Sequence, residues 1–259
     1  MEFFLYVLAG AGVGFAVGLT GVGGGSLMTP LLILFGFPPN VAVGTDLIYA
    51  SVTKAGGVAL HHRQRTVNWG LTLRLALGSI PASIITIYAL SHFFPDASAY
   101  EHILTSSLGV MLIVTAVVLL LKGHLQGAQR REFNSVPELT PRKTVATVVM
   151  GVALGICVTL SSVGAGAFGA AILMVLFPYL ATVRIIGTDL AHAVPLTMVG
   201  GLGHLYLGNV DVALLGSLLV GSLPAIYLGT RLGKRLPERL MQSVLATLLL
   251  GIGFKYAFF

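Results

Sequence analysis

The chain has 259 residues, 56% of them hydrophobic and only 9% charged, with a mean hydropathy of +0.93. A soluble domain carries about 25% charged residues, so this chain has too few to cover a water-facing surface and falls in the membrane-embedded class. Its net charge of +6 does not point to nucleic acid, because Lys and Arg sit in short loops between apolar runs, where positive-inside sorting places them.

In chain order, the apolar segments fall at about 3–20, 25–37, 41–62, 69–91, 101–122, 143–161, 164–180, 183–207, 211–230 and 237–258. Residues 3–45 and 144–183 hold no Asp, Glu, Lys or Arg. A spanning helix needs about 20 apolar residues, so each stretch must contain two elements. The second and seventh segments are short and read as half-helices or re-entrant pieces. Met1-Glu2-Phe3-Phe4 lacks the basic start of a signal peptide, so the first segment reads as the first helix. The lone Cys157 lies in an apolar run, where it reads as a small packing residue.

The first and last five segments look alike. Gly44-Thr45-Asp46-Leu47 returns as Gly187-Thr188-Asp189-Leu190, and Gly78-Ser79-Ile80-Pro81-Ala82 as Gly221-Ser222-Leu223-Pro224-Ala225, both 143 residues on. At that offset His61 also matches His204. Gly21-Val22-Gly23-Gly24-Gly25 resembles Ser162-Val163-Gly164-Ala165-Gly166 at an offset of 141. Several blocks in one order at nearly one offset indicate duplication. We divide the chain into a first transmembrane repeat (1–124), a cytoplasmic linker (125–142) and a second repeat (143–259). The period far exceeds that of solenoid repeats.

The expected fold is therefore an all-α polytopic membrane protein with two repeats of about five transmembrane or half-membrane helices each. Loop charge orients them. The loops at 61–65 and 231–239 and the linker are basic, hence cytoplasmic, whereas those near 96–101 and 208–211 lack Lys and Arg. Equivalent loops thus fall on opposite sides, and the repeats read as inverted. Either five spans per repeat, or three plus a re-entrant hairpin, satisfies this. Both put the termini on the outer, periplasmic side of the cell inner membrane. Trp69, Tyr100, Tyr206 and the phenylalanines at 254–259 read as an interfacial aromatic belt, and His61 and His204 as interfacial. Pro81 and Pro224 should kink their helices.

Inverted repeats with broken helices suit a secondary transporter whose site lies near the midplane. The glycine-rich breaks are the candidates: Gly23, Gly24, Gly25 and Ser26 in the first repeat, Ser162, Gly164 and Gly166 in the second. Glycine lets backbone leave helical geometry and approach a ligand. Lys54 sits mid-segment, where a charge is costly and usually functional. An anionic substrate would supply its counter-charge; a structural pair with Asp46 or Asp189 is the rival reading. Its equivalent in the second repeat is Thr197. Thr53 follows Asp46 by seven residues on nearly the same helix face. Thr45-Asp46 and Thr188-Asp189 are candidates for a gate or for proton coupling, against a plainer role as first-turn acids. His192 stands where the first repeat has Tyr49, and joins that set as a titratable group.

Taken together, Gly18-Leu19-Thr20-Gly21-Val22-Gly23-Gly24-Gly25-Ser26-Leu27, Pro30, Val43-Gly44-Thr45-Asp46 and their second-half copies resemble the sulfite exporter TauE/SafE family of transporters. The resemblance covers nearly the whole chain. It implies movement of small sulfur-containing anions, such as sulfite, sulfonates or sulfur-bearing carboxylates, and the expected function is their export by alternating access. The second copy carries Ala165 and Ala167 where the first has Gly24 and Ser26, so the site is expected to be asymmetric. Import of another solute or a cation is the alternative. An intramembrane enzyme is remote, because Ser161-Ser162 with His192 or His204 lacks an orienting acid. No cofactor or metal is expected. The expected partners are the anion, the bilayer and a proton as candidate coupling ion.

Overall fold

The computed structural model describes residues 2–20, 27–94, 96–127, 140–233 and 238–258. Among these, every regular element is helical: α1 (Glu2–Thr20), α2 (Met28–Leu34), α3 (Pro39–Arg63), α4 (Trp69–Phe93), a 3-10 turn (Ala97–Ala99), α5 (Glu101–Gly127), α6 (Pro141–Ser161), α7 (Ala167–Leu176), α8 (Thr182–Tyr206), α9 (Val212–Gly233) and α10 (Glu238–Phe258). Proline at the first position starts α3 and α6, and Asn68 caps α4 by accepting from the Leu71 amide at 3.1 Å. Among the described residues, five helices are long and apolar enough to cross a membrane: α4, α5, α6, α8 and α9. The expected short segments are shorter still. With seven and ten residues, α2 and α7 rise only about 10 and 15 Å against a hydrocarbon core of about 30 Å. Pro81 and Pro224 lie inside uninterrupted helices.

Polarity is turned inside out relative to a soluble protein. Leu73, Leu77 and Ile85 of α4, Val145 and Val149 of α6, and Val220 of α9 face outward, while Asp46, Lys54, Asp189 and His192 are buried. Lipid is the solvent that makes this arrangement favourable.

Helix pairing follows the internal repeat. The first helix of each half packs on the fourth helix of the other, α1 on α9 and α6 on α4, while α3 crosses α8 and α5 lies along α10. Glycine makes the first two crossings close. A methyl group on Gly10, Gly14 or Gly221 would overlap backbone across the α1–α9 contact, and one on Gly151, Gly155 or Gly78 would do the same between α6 and α4. Small residues of this kind are how membrane helices gain contact where no hydrophobic drive separates helix from lipid.

The order of contacts gives the direction of each helix. Gly10 and Gly14 meet Leu218 and Ser222, so α1 and α9 run the same way; Gly151 and Gly155 meet Leu75 and Ser79, so α6 and α4 do too. Gly57 faces Leu190 and Gly200 faces Leu47, so α3 and α8 are antiparallel. Between them Ser51 Oγ donates to the carbonyl of Val194, its own equivalent, at 3.1 Å. A residue can touch its equivalent only near a pseudo-two-fold axis. Tight turns reverse the chain between α8 and α9 and between α3 and α4, so α1 shares the direction of α3 and α6 that of α8; α2 therefore returns the chain between the first pair, and α7 between the second. Each half thus has a hairpin and three further long helices. This path is compatible with inverted repeats, and it gathers the C-terminal ends of α3, α5 and α9 on one face.

Candidate functional site

The second hairpin breaks at Ser162, whose φ of 57° is left-handed, and at Gly164 and Gly166, with φ of 116° and 134°. Two of the three positions are glycine because only glycine takes such angles freely. Ser161 holds the turn by accepting from the Val163 amide at 3.1 Å and donating to the Cys157 carbonyl at 2.7 Å. The break exposes the Ala165 carbonyl, and Lys54 Nζ donates to it at 2.8 Å. Lys54 is 4% exposed, one turn along α3 from the axis residue Ser51. It thus brings a charge from the first repeat to the break of the second, close to mid-helix.

Asp46 and Asp189 lie on either side of the axis, five residues before Ser51 and Val194 respectively. Asp46 Oδ2 accepts from the Thr29 amide at 3.2 Å and the Thr29 hydroxyl at 2.6 Å, tying α3 to the start of α2. Ser162 and Lys54 flank it. Asp189 sits against Gly169 of α7, where a methyl group would collide with its carboxylate. Both carboxylates lie within electrostatic reach of Lys54, and neither closes a direct ion pair with it. They sit two turns into their helices, so neither is the first-turn acid that one sequence reading offered.

One turn after each Asp comes the Tyr49/His192 pair. His192 Nε2 meets Ser79 Oγ of α4 at 2.7 Å, and Tyr49 lies beside Ser222, the equivalent serine of α9. Side-chain atoms that are buried with no hydrogen-bond partner concentrate here: Asp46 Oδ1, Tyr49 OH, Ser162 Oγ, Asp189 Oδ1 and His192 Nδ1. Most buried polar groups in folded proteins find partners, which makes these atoms candidates for contact with a polar solute or water.

Other expected site residues lie elsewhere in the fold. Gly23, Gly24, Gly25 and Ser26 lie outside the described residues. Thr45 and Thr188 hold the scaffold. The Thr45 hydroxyl accepts from the Asp211 amide at 3.2 Å, and Thr188 from the Asn68 amide at 2.9 Å, each joining a Gly-Thr-Asp block to the helix start of the other repeat. Gly44 and Gly187 allow that approach, since a methyl group would meet Asn209 and His61 respectively. Thr53 and Thr197 return their hydroxyls to their own helices, to Tyr49 O and Ala193 O, both at 2.9 Å. Thr197 is fully buried. Gly164 turns its open side to Met111 of α5.

Two interfacial assignments are corrected. Tyr100 is buried and accepts from Asn209 Nδ2 at 2.7 Å, and His204 is buried with Nε2 at 3.0 Å from the Thr159 carbonyl. The polar helix ends at this turn are satisfied by side chains instead of water, which draws both rings inward. Trp69 and Tyr206 are exposed, as a belt requires.

Sequence reasoning missed Thr29, Ser79, Ser222 and the Ala165 carbonyl. Ser79 and Ser222 carried a signal: they recur within the duplicated Gly-Ser-x-Pro-Ala block. Thr29 carried none, because its equivalent is Ala170.

Comparison with known proteins agrees with this architecture. The family model described as sulfite exporter TauE/SafE matches residues 6–256. The probable membrane transporter protein YjnA of Bacillus subtilis is 40% identical over 250 residues, covering 96% of this chain and 97% of that protein. YdhB, a probable membrane transporter protein of the same organism, is 26% identical over 236 residues, covering 90% and 91%. A probable membrane transporter protein of Methanocaldococcus jannaschii is 26% identical over 268 residues, covering 95% and 91%. No solved structure matches the chain at a significant level. The chain is a membrane transporter, not an enzyme, and it belongs to the sulfite exporter TauE/SafE family.

Proposed function

We propose that this transporter exports small sulfur-containing anions, sulfite or sulfonates, by alternating access between two inverted repeats in the cell inner membrane. The observation that carries the reading is Lys54, a buried ammonium held near mid-helix against a carbonyl of the opposite hairpin. A charge there is costly unless a partner compensates it, and neither neighbouring carboxylate touches it. The oxygen of a small oxyanion can replace Ala165 O with a stronger, charge-assisted bond. Tyr49 and Ser162 add hydroxyl donors. The α2 and α7 hairpins would move against the α3–α8 pair, opening the cluster first to one side and then to the other. The face that collects the C-terminal ends of α3, α5 and α9 carries the basic loops, so we place it in the cytoplasm and the termini outside. Export then follows the outward gradient of a cell that produces the anion.

Two carboxylates beside one lysine favour a second reading, uptake of a cation. One experiment separates them. Proteoliposomes loaded with sulfite, or with each of a panel of sulfonates, should release at least one of these anions faster than protein-free liposomes. If none is released faster and a cation moves instead, the anion reading is wrong.

A further inference from the structure

Asp46 and Asp189 occupy opposite sides of the α3–α8 crossing, and their surroundings differ. Each precedes the crossing residue of its own helix, Ser51 or Val194, by five positions. A helix rises about 1.5 Å per residue, so on antiparallel helices the two lie about 15 Å apart along the axes. Lys54 comes three residues after Ser51, which puts it on the Asp189 side. Of the two carboxylates, Asp189 acts on it more strongly. Asp46 has its own holders: the Thr29 amide and hydroxyl bond its Oδ2, and Ser162 lies beside it. Asp189 lacks an equivalent hydroxyl, because Ala170 stands where the first repeat has Thr29. It lies against Gly169 of α7 with Oδ1 unpartnered, and Lys54 is the charge that acts on it. The nearest titratable group on α8 is His192, one turn further on, with Nε2 on Ser79 Oγ and Nδ1 unpartnered. From α4 the contacts with this part of α8 are the hydroxyls of Ser79 and Thr72. His61, near the end of α3, faces Gly187 and is bonded to Thr66.

We infer that Asp189 by itself carries a coupling proton, ionised beside Lys54 while the site is empty and protonated once an anion has engaged Lys54. The inference rests on the anion reading above. Empty, Lys54 and Asp189 form a neutral couple of ammonium and carboxylate. A monoanion that engages Lys54 uses up its charge, and a buried carboxylate left without a counter-charge is costly. A proton from water on the open side then forms an O–H bond at the free Oδ1. Loaded, the set is one ammonium, one anion and one carboxylic acid, again neutral. On the other side the anion leaves, the O–H proton returns to water, and Asp189 faces Lys54 as before. His192 and Ser79 suit both states. Imidazole has two tautomers and a hydroxyl both donates and accepts, so Nδ1 can offer a hydrogen to the carboxylate or a lone pair to the acid. Asp46 keeps one charge state through the cycle, because its bonds to Thr29 do not involve Lys54. Each monoanion therefore crosses with one proton. The membrane potential, which would drive a bare anion outward, contributes nothing to this flux.

The test uses the full chain in proteoliposomes containing a trapped pH dye, with the potential clamped by potassium and valinomycin. Methanesulfonate is the probe if the preceding panel shows it to be a substrate; otherwise it is a transported sulfonate of comparable acid strength. Such a strong acid stays ionised, so no proton can ride on it. An inward gradient should acidify the lumen by one proton per sulfonate, at the same rate with and without an inside-negative potential. Asp46→Asn should keep the ratio of one, whatever its rate. Asp189→Asn copies the protonated, loaded state, so it should still exchange labelled for unlabelled sulfonate when both sides are filled. Its net uptake should bring in fewer than one proton per ten sulfonates and should respond to the potential. Asp189→Ser, which also cannot ionise, makes the same measurement if Asp189→Asn does not reconstitute. Wild-type sulfonate uptake without acidification, uptake that follows a sodium gradient, a ratio of one in the Asp189 variant, or loss of proton uptake in Asp46→Asn overturns the assignment. If the wild type moves no sulfonate at all, it is the anion reading that falls.

Discussion

The crossings α1–α9 and α6–α4 are built alike, whereas the centre between them is not. Gly14 and Gly155 occupy equivalent places, as do Gly221 and Gly78, and each meets opposing backbone. Thr45 and Thr188 make the same cap bond in opposite directions. At the centre the copies diverge. Lys54 faces Thr197 as its equivalent, Tyr49 has become His192, and the hydroxyl that holds Asp46 is an alanine beside Asp189. Under the proposed alternating access, scaffold contacts must survive in both states, and a shared geometry serves both. A solute has only one charge distribution, so the residues proposed to hold it are free to differ.

Substitutions can break or sharpen this contrast. The largest effect belongs to Lys54→Met. Losing one member of a buried charged group destabilises by about 3–5 kcal/mol, and loss of a charge-assisted bond worth about 1.5–3 kcal/mol weakens anion affinity by about 10–150-fold. Anion counterflow and thermal unfolding in detergent read the two effects. Next come Gly78→Val and Gly221→Val. Each forces a side chain into opposing backbone, at about 1–3 kcal/mol for such overpacking. The scaffold symmetry predicts that their losses agree within about 1 kcal/mol, and a large disparity in unfolding temperature would break it. Thr45→Val and Thr188→Val remove equivalent cap bonds and should cost about 1 kcal/mol each, again as a matched pair. The smallest effect is Thr53→Val. Its hydroxyl bonds only to its own helix, so stability should change by about 0.5 kcal/mol or less and counterflow should stay at the wild-type rate.

Much of the fold was legible from sequence because lipid imposes simple rules. Charge-free runs mark helices, and the offset of 143 residues marks equivalent positions. The half-length of α2 and α7 followed from apolar segments, 25–37 and 164–180, that are too short for a full span. Lys54, Asp46 and Asp189 stood out because ionised groups are rare where they lie, and each carboxylate lies within electrostatic reach of Lys54. What failed to show was direction. Spacing put Thr53 on the face of Asp46, but a threonine hydroxyl in a helix bonds readily to the carbonyl four residues back, and this one does. The Gly-Thr-Asp blocks read as functional because they repeat. Two of their three residues repeat for the close contact and cap bond they give the other half. Tyr100 and His204 misled because a position near a helix end does not reveal whether the turn beyond it folds inward.

The central claim, that an anion binds where Lys54 meets the second break, is tested most directly by locating one. Selenite has the shape of sulfite and a strongly scattering selenium atom. In crystals of the transporter grown with selenite, the account predicts an anomalous peak within hydrogen-bonding distance of Lys54 Nζ, between Asp46 and Asp189, and no such peak in Lys54→Met crystals. A peak elsewhere in the helix bundle that persists in Lys54→Met would contradict it.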